Sequence, residues 1–162
     1  MQPYYIFLAI IFARLTLDIS SNFVAVHVRH GDKATETATF HLDKYMPGIR
    51  HLSNAHGTRS IFVSTEDQAV INALHDYPEY SFKYTRGHKR HNIAIEEAFK
   101  KKITTPEIEA YVAFKNLFIS MCATSFLGTF TSNWSRLVYE LMYAHHGSEK
   151  TEFISLDIGY TT

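Results

Sequence analysis

Apolar and β-branched residues along the chain fall into short runs, separated by stretches with helical spacing. The runs are FVAVHV (23–28), SIFVS (60–64), YSFKY (80–84) and SFLGTF (125–130), with EFISL (152–156) as a candidate fifth. Runs of this length, rich in Val, Ile and Phe, predict buried strands. Between them, TEDQAVINALHDY places Thr65 as the cap of a helix that buries Val70, Ile71 and Leu74. PEIEAYVAFKNLFISMCA begins near Pro106 and carries Ile108, Tyr111, Val112, Leu117, Phe118 and Met121 along it, with Lys115 snorkelling beside that stripe. TSNWSRLVYELMYAHHG is the most regular helix, with Ser132 as N-cap, Trp134, Leu137, Val138, Leu141 and Met142 at helical spacing, and Gly147 as its stop. Pro47-Gly48 is expected to break or kink any helix begun by LDKY. TRGHKRHN (85–92) reads as an exposed loop. Strands alternating with helices predict an α/β fold with a parallel sheet covered on both faces.

Composition refines this picture only at its edges. The 162 residues suffice for one α/β domain over 1–162. Lys+Arg and Asp+Glu balance at 16 each, so nothing in bulk predicts a nucleic-acid partner, and anion binding must come from a local cluster. Cys122 is the single cysteine, which excludes an internal disulfide and a multi-cysteine zinc site. The apolar run from Tyr4 to Ala13 is too short to span a bilayer and has no basic residue before it. With Pro3 at its start and Arg14 at its end, it predicts a buried helix, so residues 1–22 are expected to be helix and linker.

The candidate chemistry concentrates where predicted strands run out. In an open parallel sheet, ligands bind outside the carboxyl ends of the strands. FVAVHVRHGDK puts His27, Arg29, His30, Asp32 and Lys33 at such an end. Alternation along a strand sends His27 and Arg29 to one face and Val26 and Val28 to the other. Arg29 can fork onto a phosphate, Lys33 adds a point charge, and Asp32 can hold either cation; the plainer reading is an ion-pair cluster. A second site is GTFTSNWSR (128–136), where N–H groups at a helix start and the Thr131 and Ser132 hydroxyls suit an anion. It contains neither GxGxxG nor GxxxxGK[ST]. Asn133 heads a formal glycosylation sequon, expected to be unused because Trp134 reads as core. The third is STED (64–67), where Thr65, Glu66 and Asp67 suit either a ligand hydroxyl or, in the favoured reading, a helix cap. The histidine pairs 27/30, 88/91 and 145/146 lack carboxylates at ligand spacing, and no metal is expected. The RGHKRH loop reads as a solvated face or as a flap over an anionic substrate.

These residues also carry a resemblance. VAVHVRHGDKATETATFHLDKYM resembles the HVRRTDK…FH…YM motif of the α-1,6-fucosyltransferases, which add core fucose to N-glycans. IFVSTEDQAVINAL…YPEYSF is similar to that family's second strand–helix unit, and FLGTFTSNWSRLVYELM to its TFSSxxxRxxYExM segment, over residues 23–157 in all. The resemblance implies a Rossmann-like parallel sheet flanked by helices, like one lobe of a GT-B-type glycosyltransferase. It implies inverting transfer from GDP-fucose without a metal cofactor. It places Arg29 on the β-phosphate, His27 beside the nucleotide, and Asp32 with Lys33 as the motif pair. Glu66 and Asp67 match the acidic pair, and Thr131, Ser132 and Asn133 the phosphate-side loop. Arg29, Glu36 and Asp67 are the expected catalytic residues.

Three departures stand inside the motifs. His30 replaces a second arginine, Glu36 lies one residue before the family's general base at the Thr37 position, and Asn116 replaces the guanine-reading Asp. The implied partners are GDP-fucose, an N-glycan acceptor and a facing acceptor-side lobe; the implied compartment is the Golgi lumen. The runner-up reading is a non-catalytic GDP or nucleotide-sugar module, and a weaker one a phosphate-recognition domain with unrelated chemistry.

Overall fold

The computed structural model describes residues 17–30, 40–91, 93–147 and 151–158. The helix expected over 3–14 lies outside them, as do Asp32, Lys33 and Glu36. Strands β1 (Val24–His27), β2 (Ser60–Ser64), β3 (Ser81–Lys83), β4 (Ser125–Gly128) and β5 (Glu152–Ser155) form a sheet of order β3-β2-β1-β4-β5. Every pairing is parallel, with Val24 opposite Ile61 on one side and Ser125 on the other. The predicted α/β class and the candidate fifth strand are both present.

Helices α1 (Leu42–Ala55), α2 (Gln68–Ala73), α3 (Ile95–Lys100), α4 (Pro106–Met121) and α5 (Asn133–His146) connect the strands. The period-2 pattern of each strand divides the core in two. Val24, Val26, Val28, Ile61, Val63 and Leu127 pack with Tyr45, Ile49 and Leu52 of α1 and with Val70 and Ile71 of α2. Ala25, Phe62 and Phe126 face the other way, onto Leu117 and Met121 of α4 and Val138 and Met142 of α5. Chain order thus leaves β1 in one direction under α1 and α2, then returns to β1's other edge with α4 and α5 on the opposite face. The order reverses between β1 and β4, and a cleft opens at the carboxyl ends of β1 and β2, beside that point.

Several local expectations are corrected. α1 runs unbroken through Pro47. The ring removes one bond, to the Asp43 carbonyl, at a cost of about 3 kcal/mol. Burial of Tyr45, Met46, Ile49 and Leu52 offsets it, at about 1.5–3 kcal/mol for each large side chain. Gly48 assists by lying against β4: a Cβ there would stand 2.9 Å from Leu127 Cδ1. Asp67, rather than Thr65, caps α2, accepting from Ala69 N at 2.8 Å, while Thr65 Oγ1 accepts from Asp67 N. The stripe on α4 is buried only in its second half, and Ile108 and Tyr111 are 44% and 61% exposed. The first half of α4 instead turns Glu109, Val112, Ala113 and Asn116 toward a cleft. Helix α3, with Glu96 and Glu97 in its first turn, has no counterpart in the sequence reading.

Candidate functional site

β1 delivers the first functional side chain by alternation alone. His27 continues the Phe23, Ala25 face toward α5, where it is 5% exposed. Its Nδ1 lies 2.9 Å from Ser135 Oγ, and its ring tilts against Trp134 at 6.2 Å. Ser135 Oγ also accepts the Thr129 N–H, so one hydroxyl ties the ring to the β4–α5 loop. Burial, and then the neighbouring Arg29 charge, lower the His27 pKa to about 3, so the ring is neutral. Gly128 makes this contact possible, because a Cβ there would stand 2.7 Å from Ser135 Oγ and 3.0 Å from Phe126 Cε1. Gly128→Ala is therefore expected to cost about 1–3 kcal/mol of stability and to break the His27–Ser135 bond. A urea melt and the His27 ring NMR signals would check both.

Beyond the strand end, two acids on the β2 exit grip two bases on the β1 exit. Arg29 Nη1 donates to Glu66 Oε1, which also accepts from His30 N at 3.1 Å. His30 lies between two acceptors, with Nδ1 2.8 Å from Asp67 Oδ2 and Nε2 3.0 Å from Phe40 O. Neither ring nitrogen of His30 is left to reach a ligand. Asp67 likewise spends one oxygen on the α2 cap and the other on His30. Its geometry is that of a residue that orients the strand exit.

The crevice beside these groups is a cleft of about 330 Å³. Its lining sets Arg29, Lys89 and Arg90 beside Glu66 and Glu109. Uncharged side chains, among them His27, Ile93, Ile95, Val112, Asn116 and Trp134, complete that wall. A 300–1,000 Å³ cleft with an apolar lining and a few placed polar groups is the usual form of a small-molecule site. The 85–91 loop is part of this wall. Arg90 donates to Thr65 O and Thr85 O and lies 5.2 Å from the Tyr84 ring centre, which draws His88 and His91 into the cleft. Burial, and then the Arg90 charge, lower the pKa of His88.

The β4–α5 loop behaves differently from the anion cradle expected of it. Asp157, beyond β5, fills that role from within the chain. Its carboxylate accepts from Phe130 N at 2.8 Å, Thr131 N at 3.1 Å, Ser155 Oγ and Ile158 N at 2.7 Å each, and Thr131 Oγ1. Burial raises its pKa, but these bonds outweigh burial and hold it at about 2. Ser132 takes the N-cap position without a side-chain cap bond. Asn133 is exposed, and its Oδ1 accepts from Arg136.

Of the sequence-predicted residues, the cleft therefore brings together His27, Arg29, Thr65, Glu66 and Asn116. His30 and Asp67 support them from behind, and Thr131, Ser132 and Asn133 stand off the cleft wall. Trp134, Ser135, Glu109 and Asp157 are additions. Alternation along β1, with Ser135 one turn into α5, was the only local signal for any of them. Among the described residues no three metal-ligating side chains converge, and no helix is long and apolar enough to cross a membrane.

A sequence profile of the alpha-(1,6)-fucosyltransferase N- and catalytic domains matches residues 12–160. Among solved structures, POFUT1 in complex with GDP is similar at a TM-score of 0.57 and 16% identity, covering 93% of this chain and 46% of that one. POFUT1 in complex with GDP-fucose gives the same values. The POFUT1 apo form gives 0.53 and 17%, with 93% and 46% covered. At these identities the likeness is one of fold, and the chain spans about half the length of the structures it matches. No curated protein sequence matches.

Proposed function

The chain belongs to the alpha-(1,6)-fucosyltransferase family, and from that premise we propose that it is the donor-binding part of a glycosyltransferase that takes GDP-fucose. The single observation that carries this reading is the cleft at the carboxyl ends of β1 and β2, whose lining joins Arg29 to uncharged side chains fit for a base. The POFUT1 structures with GDP and GDP-fucose support it by fold.

In this reading residues 23–157 hold the donor, and the diphosphate lies against Arg29. The bond from the fucose anomeric carbon to the β-phosphate oxygen breaks. A hydroxyl of the acceptor attacks from the opposite face and gives its proton to Glu36, and inversion results. Negative charge grows on the departing GDP, so a guanidinium already fixed by Glu66 stabilises the transition state without reorganising and without a metal. We assign the core GlcNAc of an N-glycan, in α-1,6 linkage, as the acceptor, and the Golgi lumen as the place of action. A facing lobe supplies the acceptor side.

Thermal-shift titration with GDP, GDP-fucose, UDP and phosphate tests the donor site. GDP at 100 times its Kd should add about 2.7 kcal/mol of stability. Arg29→Ala should weaken GDP by about 10–100-fold, the loss of one or two charge-assisted bonds. Equal responses to UDP and GDP would sink the guanine reading. A non-catalytic nucleotide-sugar module is the second reading, favoured by one observation: His30 spends both nitrogens on Asp67 and Phe40, so it is not a second phosphate cation. Fucose transfer by the complete protein, scored on a core N-glycan, separates the two.

A further inference from the structure

Three polar atoms on residues that line the cleft are left costly by the fold. Trp134 Nε1, Asn116 Oδ1 and His88 Nδ1 are buried and have no hydrogen-bond partner among the described residues. Asn116 is 7% exposed and Trp134 half-buried, and both line the cleft. Native folds keep few such orphans, because each forfeits its hydration without a replacement bond.

The position of Trp134 makes the orphan informative. It is the second residue of α5, a turn in which side chains readily face solvent. It is turned inward instead, its ring against the neutral His27 and packed on the core between the sheet, α4 and α5. An indole serving only as core would leave its N–H at the surface or give it a carbonyl. Trp134 and Asn116 offer one uncharged ring donor and one amide acceptor.

We propose that Trp134 is a specificity-determining residue of the cleft: its N–H donates to an acceptor on the edge of a nucleobase, whose own N–H is taken by Asn116 Oδ1. This rests on the donor-site reading above and adds to it the residue that faces the base. An uncharged donor and an amide match an edge that carries both a carbonyl or ring nitrogen and an N–H, as the guanine edge does. They add no charge toward a diphosphate, so they select the nucleoside and leave the anion to the cations of the same lining.

Trp134 is the only tryptophan of the chain, so its emission reports the site directly. GDP should quench or shift that emission, and pyrophosphate should leave it unchanged. Trp134→Phe keeps the ring and removes the N–H. It should weaken GDP about tenfold, the scale of one lost hydrogen bond in a dry site, while its melting temperature stays near that of the wild type. Asn116→Leu should weaken GDP similarly, which keeps the idea testable if the Phe variant folds poorly. GDP that binds the wild type without changing Trp134 emission, or that binds Trp134→Phe as tightly, would overturn this assignment alone. A wild type that binds no GDP would overturn the donor reading and this one with it.

Discussion

Between pH 6.5 and pH 3 the fold is expected to lose on the order of 4 kcal/mol through His27 alone. The sign follows from which state holds the proton. The unfolded chain protonates this imidazole near 6.5, whereas the native one, buried and beside Arg29, resists until about 3. In that window the unfolded state binds the extra proton, so stability falls with pH at about 1.4 kcal/mol per unit. Above the window the contribution is complete, and below it both states are protonated and the loss ends. His27→Gln keeps a polar partner for Ser135 and removes the titration. Urea melts at pH 7 and pH 4 should show the wild type losing about 3 kcal/mol more than the variant. Parallel losses would mean that His27 is not the neutral, buried ring its contacts describe.

The same residue shows how much of this molecule is legible in its sequence. Alternation along FVAVHV placed His27 on the face opposite Val26 and Val28, and that arrangement needs no long-range information. The strands were readable for the same reason: a doubly covered parallel sheet demands nearly continuous apolar runs. Where expectations failed, a tertiary contact overrode a local rule. Pro47 argues against a helix, yet burial of α1 against β1 and the close fit of Gly48 on Leu127 outweigh it. Ile108 and Tyr111 have helical spacing, but the first half of α4 faces the cleft and leaves them outside.

The site divides along the same line. Arg29 and Glu66 sit at strand exits, and strand exits are visible in sequence. Their pairing across 37 residues is set only by the β1–β2 register, which puts His27 opposite Ser64. Trp134 read as core because its spacing is that of a core residue; only its unsatisfied N–H marks it as lining a cleft. The 85–91 loop read first as a solvated face because its charges are dense, with a flap over an anionic substrate as the alternative; Arg90, bonded to two backbone carbonyls, holds it against the cleft.

Asp157 was the least legible residue, since nothing near it in the chain suggests that it closes a loop 26 residues away. Asp157→Ala should cost about 3 kcal/mol, because three backbone N–H groups lose a charged acceptor and water at this half-buried position replaces it only in part. Asp157→Asn should cost less, since its oxygen still serves Phe130 N and Ile158 N while its amide faces Thr131 N without a lone pair to offer. The charge effect is present above the ordinary carboxylate value of 3.8 and is lost as pH falls through about 2, so wild type and Asn variant should converge in strong acid. Hydrogen exchange gives the local readout: the Thr131 amide should lose protection in both variants and the Phe130 amide in the Ala variant, ahead of β1. Unchanged protection would show that the loop is held by Gly128 and Ser135 alone. If protection falls, the consequence reaches the cleft, because this loop leads into the turn of α5 that carries Trp134 and Ser135. Through Ser135 it fixes His27, and through Trp134 it fixes the wall. A carboxylate beyond the last strand would then set the shape of a site it never touches.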